Sequence, residues 1–278
     1  MTKFLGIEYG RGATANIVEG GPALGPAAVQ KMFPDADWTI VTAPDVSAAE
    51  CMADRFGDAF EVHKKIYAAT PHGHHILIGG DHSVNFGHFV ALADQIPDED
   101  LCLVYIDAHL DIHTPESSTA EASGAPHGTN VRANLGMGDS RWMTLMHKFP
   151  ALRPENLFYL ASRSYEPSEI QFVRDNNIFM RTADILQSED DLEDAIAEIR
   201  RRLDGRPFVV SFDFDAIDPK YFKDVLVPED GGISMDAARR LTREFSDAHS
   251  FEFVEYAPNG DAPTADAVRE LINIVLKK

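Results

Sequence analysis

The sequence predicts an α/β fold in which helices cover both faces of a largely parallel sheet. Three observations predict it. Short apolar runs rich in β-branched residues recur along the chain, stretches with helical spacing lie between most of them, and no Pro/Gly/Ser-rich spacer, repeat or low-complexity tract interrupts the alternation. Strands that alternate with helices in this way pair in parallel, with the helices packed on the sheet. The absence of a linker predicts a single domain over residues 1–278, and 44% hydrophobic content over 278 residues suffices to bury a substantial core.

In chain order, "KFLGIEY" and "WTIV" read as the first strands, and Ala48 to Tyr67 has helical spacing. "HHILIG" is a strand, Ser83 to Leu92 a helix, and "LCLVYI" a strand. "NLFYLA" and "NIFM" follow as strands. The helix "SEDDLEDAIAEIRRRL" (helical spacing from Asp191 to Leu203) carries acids at its start and arginines at its end, as the helix dipole prefers. "PFVVSF" is a strand, Met235 to Phe245 a helix, "FEFVEY" a strand and Ala265 to Leu276 a helix.

Lys plus Arg number 25 against 45 Asp plus Glu, a formal charge of -20, which argues against a nucleic-acid backbone or an anionic membrane surface as partner. The start, "MTKFLGIEYGRG", has no long apolar region, and no run approaches the length that spans a bilayer, so a soluble cytoplasmic protein is expected. Cys51 and Cys102 give no disulfide framework and read as packing residues in a reducing compartment.

Four strands release acidic or imidazole groups at their carboxyl ends. "GGDHS" follows "HHILI", "DAHLD" follows "LCLVYI", "SFDFDAIDP" follows "PFVVS", and Glu255 follows "FEFV". The carboxyl edge of an open parallel sheet is where ligands bind, so these groups are expected to meet in one crevice. If the extended geometry persists, Asp107, His109 and Asp111 point the same way. His82, Asp107, His109, Asp111, Asp213 and Asp215 are the candidate metal ligands. Four carboxylates and two imidazoles are too many for one catalytic zinc, but they balance two divalent ions. An oxygen-rich set without thiolate favours Mn²⁺, with Fe²⁺, Co²⁺ or Zn²⁺ as alternatives. Each cluster alone is ambiguous, since Asp also caps helices and builds turns; Asp81 and Asp218 read as supporting or turn residues. Among the histidines, "HGHH" (His72, His74, His75) reads as loop and strand end, and His63, His88, His147 and His249 as structural or solvated. His127, in the loop "SGAPHGTN", is placed over the crevice.

"GGDHS", "DAHLD" and "SFDFDAIDP", in this order, resemble the metal signatures of the ureohydrolase family, which includes arginases and agmatinases; "NIVEGGPALGP" near the start and "FVEYAP" extend the resemblance. It implies a three-layer α/β/α sandwich with a parallel eight-stranded sheet, a pair of Mn²⁺ ions, and homotrimers or hexamers. His82, Asp107, Asp111 and Asp213 would hold one ion, and Asp107, His109, Asp213 and Asp215 the other. Glu255 would grip the guanidinium, Asp111 orient a metal-bridging hydroxide, and His127 serve proton transfer, giving urea and an amine.

The outer recognition residues depart from the arginase pattern. His113 stands where arginases usually have Asn, Glu166 replaces a shorter acid, and Val227 takes the place of a hydroxyl, while Ser123 is retained. The expected substrate is therefore arginine or an arginine-related guanidino acid, with free L-arginine disfavoured; agmatine or a formimino compound is the alternative within the family. Of other classes, a cysteine nucleophile is argued against by the placement of Cys51 and Cys102. A single-zinc deacetylase is argued against by the six ligands, as is a catalytically silent binding subunit, which would have lost some of them.

Overall fold

Eight strands form where the apolar runs predict them: Lys3–Glu8 (β1), Asp37–Thr42 (β2), His75–Ile78 (β3), Cys102–Ile106 (β4), Leu157–Ser162 (β5), Phe179–Thr182 (β6), Phe208–Asp213 (β7) and Ser250–Val254 (β8). The structure is a computed structural model that describes residues 2–13, 21–98, 100–118 and 123–277. Residues 16–20 of the N-terminal motif "NIVEGGPALGP" thus lie outside the described residues, whereas residues 21–26 are described. The strands form one sheet in the order β2-β1-β3-β8-β7-β4-β5-β6, and every pairing is parallel. The α/β expectation and the eight-stranded parallel sheet both hold.

The helices are Gly25–Met32 (α1), Ala48–Ala53 (α2), Arg55–Ala69 (α3), Val84–Gln95 (α4), Asn130–Asn134 (α5), Ser140–Met143 (α6), Pro167–Asp175 (α7), Glu189–Leu203 (α8), Met235–Glu244 (α9) and Ala262–Val275 (α10). The stretch Ala48 to Tyr67 is corrected: it is two helices. Asp54 leaves the helical region (φ -152°, ψ 75°), and its side chain accepts from the backbone N–H of Gly57, capping α3. The acid-to-arginine gradient of α8 is present, with Ser188 accepting from Asp191 N–H at its start.

Side-chain alternation along the strands splits the core into two layers. Ile76, Ile78, Val104, Ile106, Val210 and Phe212 pack with apolar residues of α1, α8, α9 and α10, whereas Leu77, Leu103, Tyr105 and Val209 pack with those of α3, α4, α5 and α7. Strands buried on both faces explain why these runs are apolar nearly throughout. Deleting one such side chain, Leu77→Ala for example, costs about 2–5 kcal/mol.

Candidate metal centre and substrate pocket

The chain builds β3 and β4 before it fills the gap between them with β7 and β8, so the carboxyl ends of β3, β8, β7 and β4 lie side by side. These are the four strands that deliver the candidate residues. At β3, Gly80 lets the loop press against β1: a Cβ there would lie 1.7 Å from the carbonyl oxygen of Tyr9. Asp81 N–H donates to that carbonyl at 2.8 Å. The fully buried Asp81 carboxylate accepts from Gly12 N–H at 2.7 Å and Ser83 N–H at 3.0 Å, fixing the turn that presents His82.

Convergence of Asp107, His109 and Asp111 does not come from strand alternation, which corrects the sequence expectation. β4 ends at Ile106, and Asp111 sits in the left-handed region with φ 49°. Hydrogen bonds bend the segment. Asp107 Oδ1 accepts from His109 N–H at 2.6 Å, Asp215 Oδ1 accepts from Ala108 N–H at 3.1 Å, and Asp111 Oδ2 accepts from Tyr105 O–H at 2.7 Å and Asn130 Nδ2 at 3.3 Å. Glu255 is also left-handed, with φ 64°, and accepts from His82 N–H at 2.8 Å. Backbone held in sparsely populated regions clusters at functional sites.

All six candidate ligands meet. His82 Nδ1 lies 2.8 Å from Asp107 Oδ2, 3.2 Å from Asp213 Oδ2 and 3.5 Å from Asp111 Oδ2. His109 Nδ1 lies 2.9 Å from Asp215 Oδ2 and 3.5 Å from Asp107 Oδ1. His82, Asp107 and Asp111 form one group with ligand atoms within 4.8 Å of one another, and Asp107, His109 and Asp215 form a second, so Asp107 belongs to both. His82 Nδ1 and Asp107 Oδ2 are buried without a hydrogen bond of acceptable geometry. Two such orphaned atoms facing each other, within a set rich in carboxylate oxygen, fit divalent cations.

The electrostatics agree. Burial alone would lower His82 and His109, yet facing carboxylates raise both well above the usual imidazole range, Asp107 and Asp213 for His82, Asp215 and Asp107 for His109. Burial, then the Asp107 carboxylate, push Asp111 up to about 7. Burial, then Asp215 and Asp107, raise Asp213. Burial, then Asp81, raise Glu255. Acids crowded this closely draw positive charge to the space between them.

A pocket opens above this floor, lined by His82, His109, Asp111, His113, Ser123, His127, Gly128, Ser164, Tyr165, Glu166, Glu169, Asp213, Asp215, Val225, Val227 and Glu255. His127, His113, Ser123, Glu166, Val227 and Glu255 are thus all at the pocket. Asn130 Nδ2 donates to the His127 carbonyl at 2.6 Å as well as to Asp111, tying the His127 loop to the floor. On the outer wall His113 Nε2 lies 3.4 Å from Glu166 Oε1 and 3.3 Å from Glu169 Oε2. No Lys or Arg lines the pocket among the described residues.

Tyr105, Asn130, Glu169 and Glu229 were not singled out from sequence. Glu229 Oε1 lies 3.7 Å from His109 Nε2 and accepts from Ser164 O–H at 3.1 Å. Tyr105 carried a signal, two residues before Asp107 on the strand that ends in the acids; the others sit on elements whose approach only the tertiary fold sets. Cys51 and Cys102 are buried outside the pocket, and burial pushes both thiols up to about 11, unfit for nucleophiles. No helix among the described residues is long and apolar enough to cross a membrane.

Comparison with known proteins gives a consistent likeness. The sequence model of the Arginase family matches residues 10–276. An arginase of Bacillus caldovelox is 31% identical over 189 residues, covering 66% of this chain and 61% of that protein. An arginase of Entamoeba histolytica is 30% identical over 188 residues, covering 66% and 62%. The matched stretch thus spans about three-fifths of these curated relatives. The crystal structure of the Entamoeba histolytica arginase in complex with L-ornithine superposes with a TM-score of 0.87 at 22% identity, covering 100% of this chain and 98% of that one, a likeness of fold.

Proposed function

The chain belongs to the arginase family, and from that premise we propose that it is a ureohydrolase, releasing urea and an amine from arginine or an arginine-related guanidino compound. The observation that carries this reading is the pair of ligand groups sharing Asp107 at the floor of a pocket whose side bears Glu255. His82, Asp107, Asp111 and Asp213 would hold one divalent ion and Asp107, His109, Asp213 and Asp215 the other, with Mn²⁺ favoured by the oxygen-rich set. Bound there, the ions would supply a hydroxide nucleophile at neutral pH and Lewis-acid stabilisation of the reaction centre.

The chain's own residues divide the remaining work. Glu255 is buried and already oriented by His82 N–H. A guanidinium beside its carboxylate makes charge-assisted hydrogen bonds and offsets the repulsion from Asp81. Asp111, held by Tyr105 and Asn130 on one oxygen, keeps the other for the reacting centre and for a proton bound for the leaving amine. His127, on the pocket wall, passes protons between solvent and that site. The outer wall of His113, Glu166 and Glu169, with Ser123 and Val227, meets the far end of the substrate. The test is urea release by Mn²⁺-loaded protein across a panel of guanidino compounds; no urea from any of them, with metal bound, overturns the reading.

A further inference from the structure

A buried chain of hydrogen bonds leads from His82 back through the sheet, away from the pocket. His82 Nε2 lies 2.8 Å from Ser211 Oγ, which donates to Glu252 Oε2 at 2.6 Å. Asn85 Nδ2 donates to the same carboxylate oxygen at 2.8 Å, and His88 Nδ1 lies 2.5 Å from Glu252 Oε1. His88 Nε2 meets His75 Nε2 at 2.7 Å, and His75 Nδ1 lies 2.8 Å from the Gly73 carbonyl. His75, Asn85, His88, Ser211 and Glu252 are 0% exposed, so bulk water offers none of them a substitute partner.

The partners fix the direction of each bond. A carbonyl only accepts, so His75 Nδ1 carries a hydrogen. Glu252 faces donors from Asn85, Ser211 and His88 and acts as the common acceptor. The single hydroxyl hydrogen of Ser211 points to Glu252, which leaves Ser211 Oγ an acceptor toward His82. His82 must then hold a hydrogen on Nε2, so the nitrogen it can offer an ion is Nδ1, which faces Asp107 and Asp213. That is the tautomer a ligand nitrogen needs. Counting hydrogens along Gly73, His75, His88 and Glu252 gives three over two imidazoles and one carboxyl group. The set is electrically neutral, so the buried acid is compensated without drawing on His82.

We infer that Glu252, compensated by His88 and His75, is a positioning residue that locks His82 in the Nε2–H tautomer through Ser211 and thereby sets its affinity for a divalent ion. The inference rests on the metal reading proposed above. Glu252 and His88 do not line the pocket, so substrate contact does not explain them. Without His88, Glu252 Oε1 loses its donor and the carboxylate is free to turn away from Ser211. Ser211 can then donate to His82 instead, which drives the imidazole hydrogen onto Nδ1, against the ion.

The experiment measures Mn²⁺ affinity by competition with a chelating dye, and the His82 tautomer from ¹⁵N shifts of the metal-free full chain at a pH high enough that the ring, raised by Asp107 and Asp213, holds a single hydrogen. Glu252→Gln, Ser211→Ala and His88→Leu are expected to bind Mn²⁺ roughly 10- to 100-fold more weakly than wild type. All three are expected to gain the Nδ1–H form of His82. His88→Asn, whose amide nitrogen can take the place of Nδ1, is expected to stay within about threefold of wild type by keeping the donor to Glu252. Variants with lowered thermal midpoints but wild-type affinity and an unchanged tautomer overturn the proposal. If the Glu252 and His88 variants do not fold, Ser211→Ala, which removes one hydroxyl and no charge, decides by the same two readouts. Wild-type protein that takes up no Mn²⁺ sinks the metal reading itself, whereas wild-type uptake with unchanged variants sinks only the lock.

Discussion

Tyr105 and His82 lie face to face, with ring centroids 4.4 Å apart and planes 7° from parallel, while the Tyr105 hydroxyl donates to Asp111 Oδ2 at 2.7 Å. One aromatic side chain therefore orients two candidate ligands that come from different strands. Its ring limits the rotation of the His82 imidazole, and its hydroxyl fixes the Asp111 carboxylate, whose backbone is in the left-handed region. Tyr159 extends the arrangement: it packs edge-on against Tyr105 at 5.5 Å and donates to the Leu110 carbonyl at 2.6 Å.

Tyr105→Phe keeps the stacked ring and removes only the hydroxyl. Asn130 still bonds Asp111, so the fold is expected to lose about 1–2 kcal/mol. Activity is expected to fall roughly 10- to 100-fold, because the carboxylate loses its shorter hydrogen bond. Steady-state kinetics at saturating metal check this. An unchanged kcat would show that Asp111 is held without the tyrosine.

Asp213→Ala and His127→Ala test the proposed ligand against the proposed proton route. Asp213 lies 3.2 Å from His82 Nδ1, and its Oδ1 accepts from Asp215 N–H at 2.7 Å. Its loss disturbs both ligand groups, so metal retention and activity are expected to vanish together. His127 is on the pocket wall and belongs to neither group. His127→Ala is therefore expected to keep its metal and lose roughly 10²-fold in kcat. Equal loss in both variants, at unchanged metal content, would contradict these roles.

Removing metal should both inactivate and destabilise the protein, because four carboxylates then face one another with only the His82 and His109 imidazoles between them. A site occupied at 100 times its Kd adds about 2.7 kcal/mol to the folded state, so the thermal midpoint is expected to rise on Mn²⁺ addition and drop on chelation. Elemental analysis of activated protein is expected to give two ions per chain. Full activity at one ion per chain would end the binuclear reading.

His63 gives the fold an acid sensitivity that is independent of the metal site. Both of its ring nitrogens are buried without a hydrogen-bond partner, and its ring packs edge-on against Trp142 at 4.3 Å and Phe86 at 5.1 Å. Burial pushes its pKa down to about 3. The folded state keeps His63 neutral while the unfolded chain binds a proton below about 6.5, so stability is full above that pH and falls as pH drops toward 3. Between pH 7 and 5 the loss is about 2 kcal/mol. Urea unfolding of wild type and His63→Leu at both pH values checks it: the difference between the two proteins should narrow or reverse at pH 5 by that amount. Parallel pH dependences would reject His63 as the source.

The inner strands were legible because both of their faces are buried, which leaves continuous apolar runs, and the acids that end four of them broke those runs visibly. The sheet order was not legible, since the insertion of β7 and β8 between β3 and β4 is decided by packing over long sequence separations. The three residues of "DAHLD" were legible as a cluster, but not the turn that gathers them, because strand alternation and a left-handed Asp111 give the same residues by different geometry. Asp54 hid a helix break within a stretch whose apolar spacing runs on through it. His75, His88 and Glu252 lay within or beside apolar runs that read as strand and helix, and only their mutual hydrogen bonds distinguish them from packing residues.

In the proposed reading the far end of the substrate meets the outer wall. Glu166 and Glu169 flank His113, whose pKa burial would lower but which Glu169 and Glu166 raise, so this imidazole is engaged by the protein's own acids. The Glu166 carboxylate also accepts from Ser118 O–H at 2.8 Å. A substrate carboxylate arriving here meets acids, the aliphatic Val225 and Val227, and no Lys or Arg among the described lining residues; residues 14–20 and 119–122 contain no Lys or Arg in sequence either. A charged group left without a partner costs about 1–3 kcal/mol, or roughly 10- to 100-fold in kcat/KM. L-arginine is therefore expected to turn over less efficiently than at least one related guanidino compound whose far end is modified, shortened or decarboxylated, and Glu166→Gln is expected to narrow that gap by relieving repulsion on the carboxylate. Steady-state kinetics over such a panel decide the matter: L-arginine preferred over every analogue, with Glu166→Gln leaving the ratios unchanged, would mean that Ser123, His127 and backbone N–H groups hold the amino-acid end unaided.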